Sequence, residues 1–483
     1  MGFFEPPYPK GLPIGDRWIT DGIGGMTIAF PYDGSAVAEA PVGAMEHAKL
    51  ALEAGIAVQP EIASIPASAR RRLLLDVGAA LAERRSDFEQ LLVAETGKPL
   101  VDCRTEFDRT LFTWDATAEA IAAIHGETVP LDLQPGGEGM IGYWTRRPVG
   151  LVVGIAGFNY PLLLATHKIA PCIAAGCAVI CKPAPNTPLA TLWLVHLIRE
   201  AARTLGIPQQ IVQMVTGGPE VGQTLTTDPR IGAVSFTGSA GVGHQIARDC
   251  APRKALLELG SNAALIVAAD ADLSAAADAV LRGAFYGNGQ ACISIQRVVV
   301  DESVAGDLTK RVVARIGEVR IGDPRDEDTR VAALIDAPSR ERIVSWINEA
   351  VAGGARVEAG GNVIGTVLEP TVLVDVTDNL KVWDEEIFGP VVCIRSAPNL
   401  DAAVQMVNAS RYGLQASIYT TSLASAFRAI DELDVGGVVV NQVPGYRNDI
   451  MPYGGVKDSG IGREGPRFAV EELTVTRMAI INP

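Results

Sequence analysis

The sequence predicts an α/β protein whose parallel sheets are covered by helices on both faces. Three observations predict it. Short apolar runs rich in Val and Ile recur along the chain, each closed by a Gly-bearing turn and followed by a helical pattern. The runs fall into two blocks, over 149–236 and 263–441, as two α/β domains would. And 483 residues, 48% of them hydrophobic, suffice for two or three domains around a large core.

The amino-terminal third reads as helical. Residues 44–57 and 68–98 carry Ala, Leu, Glu and Arg with the apolar positions at helical spacing, and Gly97-Lys98-Pro99 closes the second pattern. Buried strands follow at 149–155, at 178–181 with a helix predicted over 187–204, at 211–215 and at 233–236. The second block begins at 263–267, close after Glu258, and continues through 297–300, 371–374, 391–394 and 437–441. The polar, Gly-rich stretch 131–138 interrupts the first block, either as a solvent loop or as an arm that pairs with another subunit. No short repeat period is present, which excludes a solenoid.

Composition narrows the function. A net charge of −15 argues against nucleic acid or an anionic membrane surface as a partner, since both select basic surface. No apolar run reaches the ~18–20 residues of a bilayer-spanning helix, and residues 1–13 carry no basic-then-apolar export signal. Seven cysteines without framework spacing read as reduced thiols. The expectation is a cytoplasmic enzyme for a small molecule, with no metal.

Cys292 stands apart from the other cysteines. Cys172, Cys177 and Cys181 lie in apolar company and read as small core side chains. Cys292 ends the run Gly287-Asn288-Gly289-Gln290-Ala291, whose exposed backbone N–H groups would favour a thiolate. Glu258 sits among Leu256, Leu257, Leu259 and Gly260, surroundings that raise a carboxyl toward the range of a general base. The two supply what thiol-based acyl chemistry needs, a nucleophile and a group that activates water. Asn159, between Phe158, Tyr160 and Pro161, offers an amide that donates to a developing alkoxide without titrating, or is a turn asparagine. Phe236-Thr237-Gly238-Ser239 leads from a strand into a helix predicted over 242–248, a setting that suits a pyrophosphate. Gly217-Gly218 and Gly222 form another tight turn before a helix. Neither matches G-x-G-x-x-G, and alone each reads as an ordinary strand-to-helix turn. Lys182 emerges at a strand end, to reach a ribose or phosphate, or as a solvated lysine.

These residues fall in an ordered series of motifs: Phe-Asn-Tyr-Pro at 158–161, Lys182-Pro183, Phe-Thr-Gly-Ser at 236–239, Leu-Glu-Leu-Gly at 257–260, Gly-Gln-Ala-Cys at 289–292, Glu-Glu-Ile-Phe-Gly-Pro at 385–390 and Gly-Gly-Val-Lys-Asp-Ser-Gly at 454–460. In this order the chain resembles the aldehyde dehydrogenase superfamily over about 13–476. The resemblance implies the aldehyde dehydrogenase fold: a Rossmann-type NAD(P)-binding domain over 1–125 and 146–257, an α/β catalytic domain over 258–469, and a β oligomerisation arm from 126–145 and 470–483. It implies Cys292 as nucleophile, Asn159 with the Cys292 backbone N–H as oxyanion donors, and Glu258 as general base. Lys168 and Glu464 match positions that assist proton movement. Lys182, Gly218, Gly238 and Ser239 fall where the family holds adenosine and pyrophosphate, and Glu386 and Phe388 where it holds the nicotinamide ribose and ring. NAD or NADP is the cofactor, and a homodimer or homotetramer the assembly. Thr474 to Ile481 alternates as a strand suited to pairing across subunits would.

The chain departs from the family pattern at Pro185, where many members carry a Glu that grips the adenosine ribose hydroxyls and repels a 2′-phosphate, so NADP stays open beside NAD. Ser261-Asn262 replaces a frequent Gly-Lys, and Phe158 a common tryptophan. Segments at 31–34, 260–263, 292–297 and 447–455 are similar to the branch of lactaldehyde, phosphonoacetaldehyde and non-phosphorylating glyceraldehyde-3-phosphate dehydrogenases, which often take short polar or anionic aldehydes. Arg447 would pair with an anionic tail, or bridge Asp449 or a neighbouring loop. Ala291 speaks against a phosphorylated triose, because the glyceraldehyde-3-phosphate enzymes carry arginine there. Tyr160, His167, Trp114 and Phe112 are candidates for the access channel, or core. Two other activities fit less of the pattern. One is a coenzyme A-acylating enzyme, whose kind commonly lacks the acid at Glu258. The other is a cofactor-independent Cys–His hydrolase drawing on one of the five histidines.

Overall fold

The computed structural model describes residues 3–483. The first large sheet has six strands in the order Gly460–Ile461, Lys254–Glu258, Ala233–Thr237, Val152–Ile155, Val179–Lys182, Val212–Met214, all parallel except Gly460–Ile461. The chain lays strands outward from Val152–Ile155 to Val212–Met214, then returns to add Ala233–Thr237 and Lys254–Glu258 on the other side. This reversal leaves a crevice at the carboxyl ends of Val152–Ile155 and Ala233–Thr237, the place where open parallel sheets bind ligands. The late strand Gly460–Ile461 pairs Gly460 with Glu258, which brings the carboxy-terminal segment beside that crevice.

The second large sheet runs Arg356–Ala359, Thr371–Val374, Val391–Ala397, Arg297–Asp301, Ala264–Val267, Gln415–Tyr419, Gly437–Val440, parallel except at Arg356–Ala359. Alternate residues of Ala264–Val267 enter separate cores. Ala264 and Ile266 pack with Val299, and Leu265 and Val267 pack with Val298 and Val300. A sheet buried on both faces needs apolar side chains at every position, hence the unbroken apolar runs in the sequence.

A third, antiparallel sheet joins Thr474–Ile481, Ile141–Pro148 and Thr128–Val129, with Thr474 opposite Pro148 and Ile481 opposite Ile141. The exposed turn at 131–138 links its two earlier strands. Thr474–Ile481 is an edge strand, and Val475, Met478, Ile480 and Ile481 are exposed on it.

The helical pattern at 68–98 is two helices, Ala67–Ala82 and Arg85–Thr96, broken at Glu83-Arg84 and ended by Gly97 in the left-handed conformation (φ 69°). A helix the sequence reading did not single out, Leu100–Ala120, packs against Ala67–Ala82 and Pro161–Ala175. Every residue of Pro161–Ala175 is buried, and its amino end is capped by the Glu106 carboxylate, which accepts from Leu162 N at 3.0 Å and Leu163 N at 3.2 Å. No helix among the described residues is long and apolar enough to cross a membrane. All seven cysteines are free thiols.

Candidate active site

Loops from the two large sheets enclose a cavity of about 430 Å³. Cys292 lines it, half-buried, on the segment that leads into Arg297–Asp301. Three consecutive left-handed residues turn the chain there: Gly287 (φ 57°), Asn288 (φ 61°) and Gly289 (φ 69°). A Cβ at Gly289 would come within 2.2 Å of the Gly389 carbonyl oxygen, so only glycine fits. The buried Asn288 side chain holds the turn, donating to the carbonyls of Gly97 (3.1 Å) and Ala333 (2.9 Å) and accepting from Ala332 N (2.8 Å). Asn159 follows Val152–Ile155 and donates from Nδ2 to the Gln290 carbonyl at 2.9 Å, which ties its loop to that of Cys292 and leaves a second N–H for the cavity. Glu258 ends Lys254–Glu258, in register with Thr237.

The titratable groups of the site are buried, and its electrostatics follow from that. Burial pushes the Cys292 thiol up to about 11, opposed by its hydrogen bond with Tyr453 Oη at 3.2 Å and reinforced by Glu386 and Glu258. Burial thus acts against the thiolate that the turn's backbone N–H groups favour. Burial, then the charge of Glu464, raises the Glu258 carboxyl well above its usual range, and its Oε2 has no partner. Burial would raise Glu464 too, but Lys168 first, then His167 and Arg447, outweigh it and hold that carboxyl well below the usual range. Lys168 Nζ is 2.5 Å from Glu464 Oε1, Arg447 Nη2 is 3.1 Å from Oε2, and His167 Nδ1 is 3.2 Å from Oε2. Asp449 continues the network. Arg109 grips it through Nε (2.9 Å) and Nη2 (2.8 Å), while Arg447 Nε and His167 Nε2 each lie 3.3 Å from its Oδ1. Arg109, Lys168 and Arg447 thus set three positive charges against the two carboxylates of Asp449 and Glu464.

The carboxyl ends of the first sheet border this cavity at Thr237, Gly238 and Ser239. Ser239 caps the helix Ala240–Cys250, its hydroxyl making no capping bond, and Gly218 begins Pro219–Thr227. Lys182, opposite Ile155 in register, is buried, with Nζ only 3.4 Å from its nearest acceptor, the Pro183 carbonyl; burial lowers its ammonium pKa, and Glu220 opposes the shift. Glu386 accepts from Ser261 N at 2.9 Å through Oε1, and burial raises its carboxyl to about 7. A Cβ at Gly260 would stand 2.8 Å from the other Glu386 oxygen. Phe388 meets Phe158 edge to face at 5.6 Å. The Thr237 hydroxyl is buried without a partner. A free carboxylate oxygen, an unpaired hydroxyl and an uncapped helix amino terminus around one cavity fit the hydroxyls and pyrophosphate of a dinucleotide.

The aldehyde dehydrogenase family matches residues 18–479. The chain belongs to the aldehyde dehydrogenase family. It is thereby an enzyme that oxidises aldehydes with NAD or NADP. It is 39% identical over 414 residues to a 3-sulfolactaldehyde dehydrogenase of Priestia aryabhattai, covering 86% of each chain. Aldehyde dehydrogenase 21 from Physcomitrella patens, solved in complex with the reaction product succinate, superposes with a TM-score of 0.94 at 34% identity over 98% of both chains. A glyceraldehyde-3-phosphate dehydrogenase of Methanocaldococcus jannaschii, complexed with NADP, superposes at 0.91 with 31% identity, covering 96% of this chain and 100% of that one.

In this aldehyde dehydrogenase, Asn159, Tyr160, His167, Gly238, Ser239, Glu258, Cys292, Glu386, Phe388 and Arg447 line the one cavity. Lys168 and Glu464 lie in the ion network at its wall, while Lys182 ends its strand and Gly218 begins its helix at the carboxyl edge of the first sheet, outside the cavity lining. Two candidates for the access channel are elsewhere. Trp114 is fully buried, donating to Thr166 Oγ1 at 3.2 Å, and Phe112 is 44% exposed. Lys182 is not a solvated lysine, and Arg447 does bridge Asp449 while it lines the cavity. Arg109, Asp449 and Tyr453 were missed as site residues. Tyr453 had a signal, its place directly before the Gly-Gly-Val-Lys motif, whereas Arg109 had none in its unremarked helix.

Proposed function

We propose that this enzyme oxidises short aldehydes bearing an anionic group to the free carboxylic acid, through a thioester on Cys292. The observation that carries the proposal is the excess cation on the cavity wall: Arg109 and Arg447 flank Asp449 within reach of the space that Cys292, Asn159 and Glu258 share. Arg109 is 25% exposed at its side chain and keeps Nη1 outside its grip on Asp449, free for an anionic oxygen. The sulfonated substrate, succinate product and phosphorylated substrate named for the three relatives are all anions, which supports the reading. Ala291 favours a tail other than phosphate.

In this reading the Cys292 sulfur adds to the carbonyl carbon while the Asn159 amide and the Cys292 backbone N–H donate to the oxygen that becomes negative. When bound, the oxidised nicotinamide supplies the hydride acceptor that turns the thiohemiacetal into a thioester. Lys182, Gly218, Gly238 and Ser239 would hold the adenosine and pyrophosphate, Glu386 the second ribose and Phe388 the ring. Glu258, made strongly basic by burial, takes a proton from the water that cleaves the thioester, beside Lys168 and Glu464, which match positions that assist proton movement. The domain roles follow: 1–125 and 146–257 bind the cofactor, 258–469 carry the thiol, and 126–145 with 470–483 join subunits into a homodimer or homotetramer.

A panel of two- to four-carbon aldehydes, neutral, carboxylated and sulfonated, tests this with NAD and NADP, with and without coenzyme A. The expected result is preferential oxidation of the anions, independent of coenzyme A and abolished by Cys292→Ala. Preference for neutral aldehydes would overturn the substrate reading, and an unchanged rate in Cys292→Ala the chemical one.

A further inference from the structure

Among the described residues, Cys292 Sγ makes one hydrogen bond to a side chain, that with Tyr453 Oη at 3.2 Å. Tyr453 is 3% exposed, and its backbone is pinned to that of Glu464, Tyr453 N donating to Glu464 O at 3.1 Å and Glu464 N to Tyr453 O at 2.6 Å. The Arg447 guanidinium lies 3.7 Å from the centre of the tyrosine ring and is itself held by Glu464 and Asp449. The other charged or titratable groups facing the sulfur are Glu258 and Glu386, which oppose a negative charge there, Arg447, which favours it, and the buried phenol of Tyr286.

We propose that Tyr453 is a catalytic residue whose hydroxyl donates to the Cys292 sulfur and stabilises the thiolate, with Arg447 as the positioning residue behind its ring. The proposal rests on Cys292 being the nucleophile. The site needs such a donor. The thiol stands at about 11 with the Tyr453 hydrogen bond already lowering it, so about one molecule in a thousand presents a thiolate at pH 8, and fewer would without that bond. A hydroxyl both accepts and donates, so it tolerates the S–H and, after rotating, donates to the sulfur once the proton has left for solvent. Burial keeps the phenol well above its ordinary value, so it stays a donor and never becomes a second anion beside the sulfur. The cation on the ring face draws density from the phenol and sharpens it as a donor. A phenylalanine would fill the same space and supply none of this.

The test is the pH dependence of Cys292 alkylation by iodoacetamide, in which the thiolate forms the S–C bond and iodide departs, read at the Cys292 peptide by mass spectrometry. No aldehyde or cofactor is present, so the result is independent of turnover. Loss of a hydrogen bond to a charged group is expected to move the midpoint in Tyr453→Phe up by about one to two pH units. At pH 8 alkylation then slows about 10- to 100-fold. Global replacement of tyrosine by 3-fluorotyrosine, a stronger donor of the same shape, is expected to move the wild-type midpoint down, and it serves alone if Tyr453→Phe does not fold. An unchanged midpoint in either protein overturns the proposal and leaves Cys292 standing as the nucleophile. Aldehyde oxidation that survives Cys292→Ala is the separate result that removes the premise.

Discussion

Replacing Arg109 with Gln tests the charge on the cavity wall. Arg109, Lys168 and Arg447 against Asp449 and Glu464 leave one unbalanced positive charge, and the substitution removes it. An anionic tail about 6 Å from that charge, at an effective dielectric constant of about 20, loses roughly 3 kcal/mol. A charge-assisted hydrogen bond, about 1.5–3 kcal/mol, is of the same size. Arg109→Gln is therefore expected to lower kcat/KM for a sulfonated or carboxylated aldehyde about 10- to 150-fold, while a neutral aldehyde of equal length changes about threefold or less. The assay is initial-rate formation of reduced nicotinamide over a range of salt. The preference for the anion in the wild type should shrink as salt rises. The double variant Arg109→Gln with Asp449→Asn restores the balance of charge without the arginine, because Lys168 and Arg447 then face Glu464 alone. Its preference for anions should return in part. Equal losses for neutral and anionic aldehydes, or no recovery in the double variant, would refute the electrostatic reasoning and leave Arg109 as packing for Asp449.

Glu258→Gln should give a burst of about one reduced nicotinamide per subunit and then turn over about 10²- to 10⁴-fold more slowly as the thioester accumulates; steady wild-type turnover would exclude Glu258 as the base. The same variant should melt higher than the wild type at pH 8. A carboxyl whose folded pKa is raised stabilises only below its unfolded pKa near 4, and that contribution is lost as pH rises, so the gain should vanish in acid. Glu464 and Asp449 are held low and act in the opposite sense, so wild-type stability should fall as pH drops below about 4, by thermal melts across pH. Pro185→Glu, on the exposed turn after Lys182, should weaken NADP binding more than NAD binding in a fluorescence titration; an equal effect on both would remove the adenosine ribose from that turn. Met478→Lys on the open edge of Thr474–Ile481 should reduce the mass found by light scattering, and an unchanged assembly would acquit the arm.

The sheets were legible in the sequence for one physical reason. A parallel strand buried on both faces must be apolar at every position, so Val179–Lys182, Ala264–Val267 and Thr371–Val374 announce themselves within a residue or two. Cys292, Asn159 and Glu258 were legible because each lies beside a strand boundary marked by glycine or proline. The ion network was not. Arg109 meets Asp449, and Lys168 meets Glu464, across separations in sequence that no periodicity spans, and each pair forms only when Leu100–Ala120, Pro161–Ala175 and the Gly460–Ile461 strand close on one cavity. Nor was the state of the Cys292 thiol. The sequence shows N–H groups beside Cys292 and so favours a thiolate, but burial is a property of the assembled site, and here it carries the thiol to about 11 against the Tyr453 hydrogen bond and Arg447. The proposed thiol chemistry therefore calls for donors brought from elsewhere in the chain, and the hydroxyl of Tyr453, delivered by the segment that also carries Glu464, is in contact with the sulfur.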